Sequence, residues 1–557
     1  RYGIDTYSEA NTEYTNKGGK MGSAVNRTGT LNTWNNVKTI TDHNISLSGD
    51  YDVTGNIGLT FVVGATSNSQ VFDQNGVAST GQQVFNVLRH FNFENQDEIQ
   101  YYQKRNVSGV YGQAELDYDR FIYLTLAART DWVSNLSEEN RSITYPSASV
   151  SFLPTKVFEG LKSDLVNMLK VRVGLGASAD FPFGYPIASR LNLDTQSFIR
   201  NGAAIVANTS SSQLGNPALK PERMDELEFG IEGTFLNRRL GLDLSIYNKA
   251  TKDLRIDRPL DPSTGYTTTV TNIGKIENKG AEVDLSFIWV QAQQPGALEW
   301  TSNLNWSSNE AKVVDLGADT DYITYAGGAG YYNVAAPGYS LGTIVGSAIN
   351  RDASGNYKVL SNGFYDIKYG TDPEENTIGD ANPNFLLNFG NRITYKNFAL
   401  NFLISHVNGG DIMSMTTSVL LGRGLVEDTV DREQSFILPG VNPSGQPNTT
   451  QIVNSDFYFY NVLYGPGENR IYDGSVIRLQ EVSLTYNLPK SILDSTPFGS
   501  LSLSASGFNL WYDAYNTPDS VNFDPNVAGV GIGNGRGFDW LNGPSSKRYG
   551  LSLKATF

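Results

Sequence analysis

Three carboxylates recur at even positions of "ELEFGIEGTF" (226–235): Glu226, Glu228 and Glu232. Carboxylates sharing one face could act as general acid and base, as in glycoside hydrolysis. The odd positions of the same stretch hold Leu227, Phe229, Ile231 and Phe235. That alternation reads the carboxylates more simply, as the wet wall of a β-strand whose other wall is apolar. A Ser/His/Asp arrangement has little to draw on, since His43, His90 and His406 are scattered and are the only histidines. The chain has no cysteine, which removes disulfides, thiolate catalysis and thiolate metal sites. "GVGIGNGRG" (529–537) lacks G-x-G-x-x-G spacing in a strand-to-helix setting and reads as a loop. Asn26-Arg27-Thr28 matches a glycosylation sequon and adds nothing further. No catalytic residue, metal ligand or cofactor is assigned, and the chain is not read as an enzyme. Binding is a better prospect. "DYITYAGGAGYY" (321–332) and "DFYFYNVLYG" (456–465) concentrate rings that stack on sugars and peptides or anchor protein interfaces. Tyr331, Tyr332, Phe457 and Tyr458 are the candidates for contact with a ligand or a partner.

Composition narrows the partners. The formal net charge of −15 argues against a nucleic acid, which favours a basic face. No stretch approaches the ~18 apolar residues of a membrane helix. The 30 Tyr, 27 Phe and 56 Gly suit a β protein with many turns. No signal peptide is visible and Arg1 starts in what reads as a strand, so a longer gene product is expected.

Period-two alternation positions these side chains. In "RRLGLDLSIYNK" Leu240, Leu242, Leu244 and Ile246 oppose Asp243, Ser245 and Tyr247; "KGAEVDLSFIW" and "GSLSLSASG" repeat the pattern. Connections alternate between short ones, such as Asp119-Arg120, 236–239 and 395–398, and long polar ones at 67–106, 178–222, 408–473 and 512–547. Short turns at one end and long loops at the other are the signature of an outer-membrane barrel. Sixteen strands follow: 1–7, 40–51, 57–66, 107–118, 120–131, 143–153, 168–177, 223–235, 239–250, 278–290, 298–312, 384–395, 397–407, 475–488, 500–511 and 548–557. The stretch 313–383 is either one very long loop or a loop with an extra hairpin. The expected fold class is therefore all-β, a transmembrane antiparallel β-barrel.

The chain ends "SSKRYGLSLKATF", with Tyr549, Leu551, Leu553, Ala555 and Phe557 on one face. A last strand that closes a barrel needs no tail, because it pairs with the first. Tyr549, Leu551, Leu553 and Phe557 are read as the closing strand and the signal for insertion into the membrane. Every backbone group must be paired in hydrocarbon, so a spanning sheet has to close, with Leu, Val, Phe and Ile toward lipid and Glu, Asp, Ser and Thr toward water. Trp132, Trp289, Trp511 and Tyr549 near strand ends suit the interfacial girdle.

Several stretches resemble the SusC-like TonB-dependent transporters of Bacteroidetes outer membranes. They run in order along the chain: "GVYGQAELDYDRFIYLTLAARTDW" (109–132), "YPSASVSF" (145–152), "GNPALKPERMDELEFGIE" (215–232), "NRRLGLDLSIYNKATKDL" (237–254), "STGYTTTVTNIGKIENKGAEVDLSF" (263–287), "IGDANPNFLLNFGNRITYKNFALNF" (378–402), "VIRLQEVSLTYNLP" (476–489), "GFNLW" (507–511) and "YGLSLKATF". The resemblance implies a 22-stranded barrel filled by a plug, of which residues 1–557 are the C-terminal barrel part, about 16 of 22 strands, ending in strand 548–557. The plug, the first strands and the TonB-contacting segment then lie outside this sequence. It implies an active importer of oligosaccharides or peptides in the outer membrane of a Gram-negative, Bacteroidetes-type bacterium. Long loops face outside, a SusD-like surface lipoprotein serves as lid, and TonB supplies energy. Many members carry an acidic Asp-Gly-rich loop before the segment matching "IGDANPNF"; residues 362–380 lack that repeat, which leaves no basis for calcium. Two other readings stay open: a non-transporting barrel that anchors a surface or secretion assembly, and a soluble β-rich glycan binder.

Overall fold

The structure is a computed structural model, and it describes all residues except 19–26, 195–198, 201–202, 205–206, 318–319 and 528–534. Asn26 and most of the glycine-rich 529–537 lie outside the described residues. Sixteen long strands form one hydrogen-bonded sheet in strict chain order. They are β1 (Tyr2–Thr15), β2 (Thr30–Thr54), β3 (Ile57–Gln82), β4 (Phe93–Tyr118), β5 (Ile122–Val133), β6 (Ser142–Phe152), β7 (Val166–Asp180) and β8 (Glu222–Phe235). Then come β9 (Leu240–Lys252), β10 (Lys275–Val290), β11 (Glu299–Asp315), β12 (Pro383–Tyr395), β13 (Phe398–Gly409), β14 (Val476–Asn487), β15 (Ser500–Asp513) and β16 (Arg548–Thr556). Each of the sixteen expected strands is present. β1 and β16 stand at opposite ends of this order and are not neighbours in it, so the expected pairing of the last strand with the first is not among the described pairs. The chain divides into two compact units, residues 1–150, 175–225 and 252–273, and residues 151–174, 226–251 and 274–557.

The first unit corrects the expected loop 67–106. β2, β3 and β4 are 25, 26 and 26 residues long, where about 9–11 suffice to cross a bilayer. β3 and β4 stay paired from Ile57↔Tyr118 up to Gln82↔Phe93. Alternation fades near Ser67 because mostly polar residues occupy both walls beyond that point, so no apolar row marks the strand. The ladder continues on backbone bonds and polar cross-strand pairs: Gln74 Nε2 donates to Asn36 Oδ1 (2.8 Å) and Asn68 Nδ2 to Asp42 Oδ1 (2.6 Å). At the tip, Asn92 Nδ2 donates to the carbonyls of Val84 and Val87, and its Oδ1 accepts from Val84 N–H. His90 links Thr33 (2.7 Å) and Ser79 (2.8 Å) across the hairpins, a structural use of one of the three histidines. At the other end β4 and β5 turn through Asp119 and Arg120, both at positive φ (47° and 55°), the backbone a tight primed hairpin requires.

In the second unit the short turns are as expected, and the long connections carry structure of their own. Residues 316–382 hold a small sheet of four strands, 323–328, 331–335, 343–345 and 377–380, more than the single extra hairpin foreseen. Residues 410–475 contain α1 (Met415–Gly422), capped by the Ser414 side chain accepting from Thr417 N–H, and a seven-residue π-helix, Phe457–Leu463. These pieces bury cores: one around Ile349, Val359, Leu438 and Ile452, one around Ile412, Leu421 and Val462, one around Tyr331, Ile344, Met413 and Phe538. The apolar strand wall is exposed, as a lipid-facing wall would be: Leu503 is 50%, Leu553 67% and Leu551 83% exposed.

The girdle candidates sit at strand ends and are open, with Trp132, Trp289 and Trp511 between 41% and 50% exposed. The Trp289 indole N–H donates to Ser302 Oγ (2.9 Å), which in turn donates to Asn391 Oδ1 (2.6 Å).

Candidate functional site

The wet strand wall is a band of paired charges. In the second unit Glu228 accepts from Arg172 (3.3 Å) and from Ser245 (3.1 Å), and Arg172 also reaches Asp243 (2.8 Å). Glu232 pairs with Lys170 (3.1 Å) and Glu226 with Lys249 (3.4 Å). Each of the three carboxylates singled out in the sequence thus has its own cation. An acid–base pair needs one carboxyl kept protonated, which a neighbouring ammonium or guanidinium opposes. The band is a polar wall of alternating, paired charge.

In the first unit that face opens into a cavity of about 530 Å³, within the size range of small-molecule sites. Its aromatic walls are Tyr101 of β4 and Phe183 and Tyr185 of the β7–β8 connection; Arg190, Glu222 and Asp257 supply polar groups. The aromatic segment "FPFGYP" (181–186) is held from beneath. Phe181 and Ile187 pack on a core of Val133, Leu136 and Leu219. Buried Asn135 donates to the carbonyls of Pro182 (2.6 Å) and Gly184 (2.8 Å). Tyr185 Oη donates to Lys104 O (3.0 Å), and the Arg105 guanidinium lies 5.2 Å from the Phe183 ring centre. Arg255 ties β8 to the neighbouring segment through Glu222 (2.9 Å) and Asp180. Phe183, 77% exposed, is therefore a ring offered to solvent on a fixed support. Sequence reading missed this site. The clustering of Phe, Pro and Tyr in 181–186 was the available signal; Tyr101, some eighty residues earlier, had none.

The aromatic candidates of the second unit have separate fates. Tyr331 is a core residue, 6% exposed, rather than the open ring that the contact role expected of it. A Cβ at Gly467 would come within 2.2 Å of its ring and one at Gly346 within 2.7 Å, so both glycines are needed for the ring to fit. The Arg470 guanidinium covers the ring at 5.5 Å while donating to the carbonyls of Val462 and Leu463. Tyr332 is half-buried, and its backbone pairs with Val345. Phe457 packs against two of the loop cores, edge-on to Phe436 (5.4 Å). Tyr458 lines a cavity of about 240 Å³ with Phe459, Tyr460 and Arg423. Arg423 stacks near Phe459 (5.7 Å) and donates to Tyr464 Oη (3.1 Å). Burial raises the Tyr458 hydroxyl above its ordinary range, with Asp428 adding to the shift. Tyr549, Leu551, Leu553 and Phe557 form an open apolar row, and Phe557 meets Phe498 at 5.2 Å between ring centres. Among the described residues no cluster of three or more His, Asp or Glu could hold a metal ion.

A sixteen-strand meander with an apolar outer wall, a charge-paired wet wall and long structured loops at one end defines a β-barrel of the membrane-spanning class. Residues 1–408 match the family described as TonB dependent receptor-like, beta-barrel, and the chain belongs to that family. It is 26% identical to TonB-dependent receptor P3 of Formosa agariphila over 84% of this chain and 46% of the relative. It is 25% identical to TonB-dependent receptor SusC of Bacteroides thetaiotaomicron over 50% of this chain and 27% of the relative. The structure of the RagAB peptide transporter has the same fold, with a TM-score of 0.73 at 16% identity, covering all of this chain and 59% of that one. The chain spans about half the length of the Formosa relative. The family is one of outer-membrane transporters and receptors, not an enzyme class, and membership places the strand wall in the outer membrane of a Gram-negative bacterium.

Proposed function

We propose that this chain is the C-terminal barrel part, about 16 of 22 strands, of a SusC-type importer of oligosaccharides or peptides. In this reading residues 1–557 form one barrel segment that ends in the closing strand, and Tyr549, Leu551, Leu553 and Phe557 guide its insertion. The long loops are extracellular, a SusD-like lipoprotein covers them, and TonB acts on a plug borne by the rest of the protein. The observation that carries the reading is the wet face itself. In the first unit it holds a supported aromatic cavity lined by β4, the β7–β8 connection and the start of β8. A polar solute with apolar patches, such as a sugar or a peptide, stacks on Tyr101 and Phe183 and exchanges hydrogen bonds with Arg190, Glu222 and Asp257. In the same reading Tyr458, which lines the second cavity, contacts ligand or lid.

The test is uptake by cells carrying the full-length gene. Tyr101→Ala with Phe183→Ala is expected to lower uptake by about tenfold or more, since each stacked ring contributes about 1 kcal/mol, while barrel assembly is unchanged. Deleting the lid gene or the TonB-contacting segment is expected to abolish uptake. Normal uptake without either part would sink this reading.

A further inference from the structure

On the outward face of the second unit, strands β8 to β11 border an open, shallow groove of about 570 Å³. Its walls are apolar: Leu227 and Phe229 of β8 and Ile246 of β9, 40% to 51% exposed, and Trp306 of β11. Ala281 of β10 makes the depression, because a single methyl stands between these bulky neighbours. The groove has a direction. Reading outward-facing pairs along β10 and β11, Val283 faces Trp306, Ala281 faces Ser308 and Lys279 faces Glu310. Polarity thus rises from ring to hydroxyl to charge within three rungs. Asn248, two residues past Ile246 on β9, repeats the change.

The polar end is the one from which β11 leaves into the long connection 316–382, whereas β10 and β11 are joined at the other end through 291–298. In outer-membrane barrels the long loops are extracellular, so the charged rim stands at the outer leaflet. The carboxylates of the rim are already held. Glu310 pairs with Lys312 (2.6 Å) and Glu277 with Lys275 (2.6 Å). Lys279 reaches Glu277 only at 4.0 Å and is 65% exposed. A largely exposed lysine, only loosely held by Glu277, thus stands at the polar end of an apolar trough.

We propose that this groove seats an acyl chain of an outer-leaflet lipid whose phosphate lies on Lys279. A chain touched on several sides gains dispersion contacts that a smooth wall cannot offer. The compact ammonium on its flexible stem suits a phosphate that needs a point charge more than a fork. The inference rests on the outer-membrane placement of the barrel and on nothing about transport.

The experiment counts phosphate-bearing lipid retained by the full-length protein extracted in mild detergent, by native mass spectrometry. The wild type is expected to keep a bound lipid. Lys279→Glu is expected to reduce retention about fivefold, the effect of one lysine at an anionic surface, while retention of an uncharged diacylglycerol stays level. Ala281→Trp fills the trough and is expected to remove both lipids. A heat-induced shift in gel mobility checks that each variant is a folded barrel. Equal retention by all three proteins overturns the groove and leaves the barrel reading intact. A protein that fractionates away from the outer membrane overturns both.

Discussion

The two units carry their chain beyond the lipid-sized part of the sheet in different ways. In the first, β2, β3 and β4 simply keep pairing, largely polar on both faces, tied by Asn36–Gln74, Asp42–Asn68 and the His90 bridge. In the second, the connections leave the sheet and fold into small sheets, a helix and a π-helix around buried Ile344, Met413 and Phe538. The β2–β4 extension depends on backbone ladders, which tolerate almost any side chain, while the β7–β8 connection of the same unit rests on its own core around Leu219. The second unit depends on packing, which is less tolerant. A mutation should therefore be felt in one region and scarcely noticed in the other.

The largest effect is expected at Arg478. Its guanidinium holds Asp524 by two bonds (3.1 and 2.5 Å), with both side chains less than 10% exposed. Arg478→Ala leaves a buried carboxylate alone and should cost about 3–5 kcal/mol, read as a lower thermal midpoint and faster proteolysis within 512–547. Burial pushes the Asp524 carboxyl up, but Arg478 and the Asn526 N–H outweigh it and hold it below the usual carboxylate range. A depressed carboxylate contributes stability that is fully present above its unfolded value. That contribution disappears as pH falls through the lower folded value. The wild-type loop should therefore weaken only in strong acid, whereas in the Arg478→Ala protein burial acts with less to oppose it, so acidification should relieve rather than add to the loss.

Ile344→Ala comes next. Its side chain is fully buried beside Tyr331 and Phe538, and the cavity should cost about 2–5 kcal/mol. Local proteolysis of 316–382 reports it. Asn36→Ala, in the wet ladder of the first unit, should shift stability by no more than about 0.5 kcal/mol. A large loss there, or none at Ile344, would break the contrast between ladder and core.

Much of the sheet was legible. Sixteen strands were readable wherever one wall faced lipid, because only that asymmetry imprints a period of two on the residues. The upper halves of β2, β3 and β4 were not, since a strand lined largely by polar residues on both faces shows no period of two. The aromatic clusters were visible and their roles were not. Tyr331 and Phe183 look alike in a string of letters. One is enclosed by Gly346 and Gly467 beneath Arg470; the other stands open on a pedestal built from Asn135 and Lys104.

What the residues determined alone is the alternation: which side chains go to lipid, which to water, where the chain turns, and the ordered stretches that mark its family. Local stereochemistry suffices for that, because side-chain direction in a strand is set by neighbours one and two residues away. Only the tertiary structure decided which cation meets Glu226, Glu228 and Glu232, which ring is buried, and where the walls part into cavities. Those outcomes depend on residues tens to hundreds of positions apart meeting at distances of a few ångström, and nothing in the local pattern records which will meet.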